Sequence, residues 1–241
     1  MEGTAGAVRN RRSNVLRLLI KLPTRQRRDQ FFGVLEQYRR MLSGRVPVHF
    51  VITCDDDDEQ MAAPNIRDHL GRFPNLTTCY GRHRTKVEAV NADIPWPPDW
   101  DVLVVASDDM IPIEPGYDYV IAREMETRYP DLDGVLWFND GYVGRKLCTI
   151  PIMGRTYYSR TSYVYHPEYL SLWCDNEYTC VAERLSKIAY IDRVIIKHEH
   201  PGNTKAAQRD MLYRRNDKNH WRDKALYELR AARGFDLEPS R

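Results

Sequence analysis

The segment Asp101-Val-Leu-Val-Val-Ala106 restricts the fold of this chain more than any other. After the aspartate every side chain is apolar and three are β-branched, so the segment has no polar face to turn toward water. Such a strand must be covered on both sides, as in the centre of a parallel sheet flanked by helices. It runs into Ser107-Asp108-Asp109 and leaves through Pro112. Adjacent carboxylates repel and aspartate is a poor strand former, so local structure gains nothing from the pair. Two acids where a buried strand stops point to a divalent cation, or to an anionic ligand held through one. The plainer reading is a helix cap or turn ahead of Pro112.

Other segments supply the rest of such a sheet. Further strands are expected over 15–22, 46–53, 76–80, 134–139 and 189–197. Helical spacing is read over 27–41, 62–70, 84–92, 117–129 and 176–186. Strands alternating with helices give an α/β, Rossmann-like domain with a mostly parallel, doubly wound central sheet. The expected organisation is a basic segment over 1–14, one domain over 15–200, and a basic, partly helical tail over 201–241 that packs on or extends it.

Composition narrows the class. A chain of 241 residues, 42% hydrophobic and 29% charged, can bury a proper core. No apolar run approaches the roughly 18 residues of a membrane helix, and the short, interrupted patch VLRLLI predicts no signal peptide. Five scattered cysteines without CxxC spacing argue against a disulfide framework or structural zinc, and for a reducing compartment. The expected location is therefore cytoplasmic (host cytoplasm for a phage-encoded chain). Net charge is +2, but residues 1–45 hold 11 Lys and Arg against 3 Asp and Glu, and residues 197–241 hold 11 against 7. The ends thus carry +8 and +4 around a centre of −10, a distribution that suits a polyanion, or phosphates beside a cation, as well as a solvated surface.

In an open α/β sheet ligands bind beyond the carboxyl ends of the strands. Those positions hold Pro23-Thr24-Arg25, Asp55 to Asp58, Asp108-Asp109 and His198-Glu199-His200. Neither GxGxxG nor GxxxxGK[ST] occurs, so any phosphate must be bound by a metal and basic side chains.

Taken in order, several stretches resemble the GT-A glycosyltransferases, and among them the family 2-like enzymes. LLIKLPTRQRRDQFFGVLEQY is similar to that family's opening strand and helix, and VHFVITCDDDD to its second strand. KVEAVNADI matches its Lys-then-Asn segment, SDDM its metal-binding DxD motif, and CDNE the Glu-Asp element of its catalytic base. HEHPGNTKAAQRDMLY resembles a His-x-His-Pro segment of some phage and bacterial members. Two positions depart from the pattern: Ser107 replaces the first Asp of DxD, and Cys174 replaces the Glu of Glu-Asp.

The resemblance implies transfer of a sugar from a nucleoside diphosphate sugar, most naturally a UDP-sugar, to an acceptor hydroxyl, with inversion. It implies Asp175 as catalytic base and Asp109, with His198 or His200, as metal ligands. Imidazole beside carboxylate favours Mn²⁺ over Mg²⁺. Thr24, Arg25, Asp55, Asp57, Lys86, Asn91 and Asp108 are expected on the donor side. Arg155, Tyr157, Trp173 and Glu177 are expected on the acceptor side, in and beside a tyrosine-dense stretch suited to stacking on sugars or bases. The acceptor is open: basic ends leave room for duplex DNA carrying a hydroxylated base, and a polysaccharide precursor fits as well. Bland roles stand beside these: Asp175 can cap the helix after it, His-x-His alternation puts two rings on one strand face, and many of the tyrosines can be ordinary packing. The rival functions are a metal-dependent nucleotidyltransferase or nuclease, and a non-catalytic nucleic-acid-binding protein.

Overall fold

The computed structural model describes residues 15–200, 214 and 217–237. The basic segment 1–14 and nearly all of the His-Pro tail motif lie outside the described residues. Among them the strands are β1 (Leu18–Thr24), β2 (Val48–Asp55), β3 (Leu76–Gly81), β4 (Val102–Val105), β5 (Met110–Pro112), β6 (Val135–Phe138), β7 (Ile152–Gly154), β8 (Ile188–Ile191) and β9 (Ile196–His198). The helices are α1 (Arg28–Arg40), α2 (Pro64–Leu70), α3 (Lys86–Asn91), α4 (Tyr117–Arg128), α5 (Arg155–Tyr158), α6 (Cys174–Arg184) and α7 (His220–Ala232).

Seven strands form one sheet in the order β3-β2-β1-β4-β7-β6-β8. All pairings are parallel except those of β7, which runs antiparallel to β4 and β6. As its composition requires, β4 is buried at all four positions. Alternation along β1 sends Leu18, Ile20 and Leu22 to one core, with Phe31, Leu35 and Tyr38 of α1 and Ile121 and Met125 of α4. Leu19 faces the opposite core, with Val87 of α3, Tyr157 of α5 and Tyr178 of α6. Helices therefore cover both faces of the sheet, as the doubly wound reading expected. No helix among the described residues is long and apolar enough to cross a membrane.

One expected strand is in fact two. Within AYIDRVIIK the polar pair Asp192-Arg193 turns the chain: Asn139 donates to Asp192 (2.8 Å), and Arg193 reaches Glu114 (2.9 Å). Before the turn β8 pairs with β6. After it β9 joins β5 in a separate antiparallel pair that sets Met110 opposite His198. Strands β5 and β7 were not expected at all. Each is three residues long, too short for a periodicity, and exists through partners distant in sequence.

Lys21 of β1 is fully buried. Its Nζ donates to Thr53 Oγ1 and lies 3.9 Å from Asp93, and burial lowers its pKa from an ordinary 10.5 to about 8. Between these values the unfolded chain keeps a proton that the folded one has released, so the penalty for burying the charge disappears as pH rises. Denaturant titrations are expected to show wild type gaining up to about 3 kcal/mol on Lys21→Met between pH 8 and 10.5. A pH-independent difference would place the charge elsewhere.

Candidate active site

Strands β2 and β3 lie on one side of β1 and β4 on the other, so the connection order reverses between β1 and β4. That is where an open α/β sheet leaves a crevice at its carboxyl rim. A cleft of about 1120 Å³, counting space open to solvent, occupies this position. Its walls come from the end of β1 and the loop after it (Thr24, Arg25, Arg27), the end of β2 (Thr53, Asp55), the turn into α3 and its first residue (His83 to Lys86), the segment between β4 and β5 (Ser107 to Asp109) and β9 with its exit (His198, His200).

Each acid at the rim has a defined environment. Asp55 is buried; its Oδ2 accepts from Arg25 (2.5 Å) and its Oδ1 from the backbone N–H of His83 (3.1 Å), with the His83 ring Nδ1 at 2.9 Å. Arg25 also holds the exposed Asp57 (2.6 Å). Asp58 accepts the N–H groups of Gln26 (2.7 Å) and Gln60 (3.1 Å), so it closes the turn rather than facing a ligand. Asp108 accepts from Arg27 (2.9 Å), and Gln30 donates to the Asp108 carbonyl (2.9 Å). Asp109 accepts from the Ser107 hydroxyl, and its other oxygen lies 3.6 Å from Nε2 of His198. The serine at the first position of the motif thus orients the acid that follows it. The β5–β9 pairing carries His198 to this place, and the Glu199 N–H closes it by donating to the Asp109 carbonyl (2.8 Å).

Lys86 opens α3 behind a strong cap. Thr85 Oγ1 accepts the Glu88 N–H (3.0 Å), and Glu88 Oε2 accepts the Arg84 N–H (2.6 Å). Asp175 lies in the first turn of α6, after Trp173 in the left-handed region (φ 62°). Part of its surface is accessible, yet protein surrounds it closely. Burial raises its pKa, opposed by the charge of Lys86, by the Asn176 N–H (3.0 Å) and by His198. Asp175 itself is not among the cleft-lining residues; Leu170 and Leu172, shortly before it in the chain, are. Burial lowers the pKa of His200, whose ring centroid is 5.7 Å from that of His198.

Neither Asp57 nor Asp175 is among the residues that line the cleft, and the structure does not bring the other expected residues to its walls either. Asn91 Oδ1 accepts the N–H groups of Val164 (2.9 Å) and Tyr165 (3.1 Å) while its Nδ2 donates to the Tyr165 carbonyl (2.7 Å), so it pins the tyrosine-rich loop. Arg155 pairs with Asp101 (3.1 Å), just before β4 and therefore at the opposite, amino rim. Tyr157 is buried against Tyr178, and Trp173 packs on His220 and Tyr227. Glu177 is buried in a two-pronged pair with Arg230 (2.8 and 2.9 Å) and accepts from the Tyr169 hydroxyl (2.8 Å). Conversely, Arg27, His83 and Arg84 line the cleft unforeseen. Applying the strand-end rule to the third strand, and reading two residues past Arg25, would have found them.

A metal fits this site in a limited way. Among the described residues no group of three or more His, Cys, Asp or Glu side chains gathers to hold an ion, so no all-protein cage exists. What Asp109 and His198 offer is one carboxylate and one imidazole. That donor set suits a cation whose remaining ligands are substrate phosphates and water.

A half-sheet of parallel strands around this rim, continued by the antiparallel β7, defines a GT-A-like fold, the fold of nucleotide-sugar glycosyltransferases. Among solved structures, the chain is similar to the mannosyltransferase PcManGT of Pyrobaculum calidifontis, determined with GDP-Man and Mn²⁺ (12% identity, TM-score 0.54, 76% of this chain and 56% of that one). It is also similar to S. aureus TarS (11%, TM-score 0.60, 77% and 37%) and to TarS 1–349 in complex with UDP-GlcNAc (12%, TM-score 0.58, 76% and 58%). The chain thus spans less than two thirds of each of these proteins. No family profile and no curated protein matches the sequence.

Proposed function

We propose that this chain is a glycosyltransferase that takes a sugar from a nucleoside diphosphate sugar, with a UDP-sugar as first candidate, and passes it to an acceptor hydroxyl with inversion. One observation carries the reading: Asp109 and His198, 3.6 Å apart, share the carboxyl rim at the reversal point of a GT-A-like sheet with Lys86. The solved neighbours determined with GDP-Man and Mn²⁺ or with UDP-GlcNAc lend support to the donor class.

On this reading the nucleoside lies against Asp55 and His83, and the diphosphate faces Arg27, Arg84 and Lys86. Asp109 and His198 hold Mn²⁺ or Mg²⁺, which when bound neutralises charge on the departing diphosphate. Asp175 takes the proton of the attacking hydroxyl from the face away from the leaving group, and that direction of attack inverts the anomeric centre. The test is a panel of UDP- and GDP-sugars incubated with Mn²⁺ and assayed for nucleoside diphosphate release. Turnover of nucleic acid or nucleoside triphosphate without a sugar donor would replace this reading with a nucleotidyltransferase or nuclease.

For the acceptor, we take duplex DNA carrying a hydroxylated base as the hypothesis to test first, on the strength of the basic chain ends. Retention on duplex DNA is then expected to fall steeply between 50 and 200 mM salt, roughly in step with the phosphates neutralised. No retention at low salt would discard that acceptor and leave the donor chemistry standing.

A further inference from the structure

Asp223, on α7, is fully buried far along the chain from the rim; its carboxylate accepts from the neighbouring Arg222 (3.1 Å) and otherwise holds one short segment. Its Oδ1 accepts the N–H of Leu170 (3.1 Å), and its Oδ2 those of Ser171 (2.9 Å) and Leu172 (2.9 Å). These three successive N–H groups belong to neither helix nor strand, and together with Arg222 they compensate a charge that burial alone would penalise heavily. The segment they define is functionally placed. Leu170 and Leu172 line the cleft, the Leu170 carbonyl accepts from Val87 beside Lys86 (3.4 Å), and two residues on the chain passes Trp173 into the first turn of α6 and Asp175. One turn before Asp223, Asn219 lines the same cleft, and its Nδ2 donates to Ser171 Oγ (3.3 Å).

We propose that Asp223 is a positioning residue for the transfer reaction: by gripping the backbone of 170–172 from the C-terminal helix, it sets where Asp175 stands relative to Lys86 and the donor. The inference rests on the role of Asp175 given above. It assigns α7 a part in the site that its sequence, an ordinary amphipathic helix, does not announce. Three donors on one carboxylate fix the segment in direction as well as distance, and a base must be held closely to accept a proton in the transition state.

A double-mutant cycle tests it. Asp223→Ala is expected to slow nucleoside diphosphate release from the donor by about 10- to 100-fold, the scale of losing an orienting partner. Binding of uridine diphosphate with Mn²⁺, measured by calorimetry, should stay within about twofold, because Thr24, Asp55 and His83 are untouched. The decisive arm is Asp175→Asn/Asp223→Ala, which should be no slower than Asp175→Asn alone, since with the base removed there is nothing left to misplace. Additive losses, or a parallel loss of uridine diphosphate binding, overturn the proposal. If Asp223→Ala does not fold, Asp223→Asn carries the same cycle, keeping the volume and one acceptor oxygen. A folded Asp223→Asn at wild-type rate overturns it, and so does failure of that variant to fold, which would make the carboxylate a fold residue only. Wild-type turnover by Asp175→Asn would instead sink the base assignment, a result distinct from any of these.

Discussion

Asp175→Asn is expected to lower sugar transfer by about 10²- to 10⁴-fold, the usual contribution of a positioned general base, with uridine diphosphate binding unchanged. Asparagine keeps the size of the side chain and removes the proton acceptor, so a collapse of binding would mean that the residue shapes the cleft instead. Burial raises the pKa of Asp175 above the ordinary carboxylate range, and Lys86 opposes the shift. A base works when ionised, so the acidic limb of the wild-type rate profile should lie above that of an ordinary aspartate and vanish in the variant. Stability should move the other way. A carboxyl whose folded pKa is raised stabilises the fold while protonated, and this contribution is lost as pH rises through the folded value. At neutral pH the ionised side chain is thus a burden on the fold, and Asp175→Asn should melt higher than wild type while turning over far less. Calorimetric melts at pH 7 check this directly. A lower melting temperature would show that Lys86 and the α6 N-terminus outweigh burial.

Asp109→Asn should lower turnover by about 10²- to 10³-fold, comparable to removing one charged element from a preorganised site. The carboxylate does more than carry charge: Ser107 fixes one oxygen, and the other faces His198 Nε2 at 3.6 Å. Because the remaining protein donor is an imidazole, raising Mn²⁺ should restore part of the lost rate, and Mg²⁺ should restore less. Full activity of the variant at low Mn²⁺ would remove Asp109 from the reaction. The Arg27–Asp108 pair is expected to survive in this variant, since it draws on the neighbouring carboxylate and the loop before α1.

Several parts of this site are legible from residues alone because the physics behind them is local. Asp101–Ala106 has no polar side to expose, so it had to be a covered strand, and the acids after it had to stand at a sheet edge. The Asp55–Asp58 run is legible as a strand end but not as a set of roles. Which acid meets Arg25 and His83 and which one closes a turn depends on side chains contributed by β1 and by the turn into α3. The acceptor-side expectations show the opposite case. Tyrosine density says that rings will pack, yet not on which face: Tyr157 went into the core and Arg155 to the far rim with Asp101.

The doubly wound sheet and the rim on which its acids collect are written in local residue patterns. Continuous β-branched strands and helical spacing encode that arrangement within a few residues of each position. That His198 faces Asp109 follows from long-range packing, through the antiparallel pairing of β5 with β9. The same holds for the buried aspartate of the last helix that grips the segment leading to Asp175. Contacts between residues so distant along the chain leave no periodicity behind, and arise only once the packed core has fixed where each loop emerges.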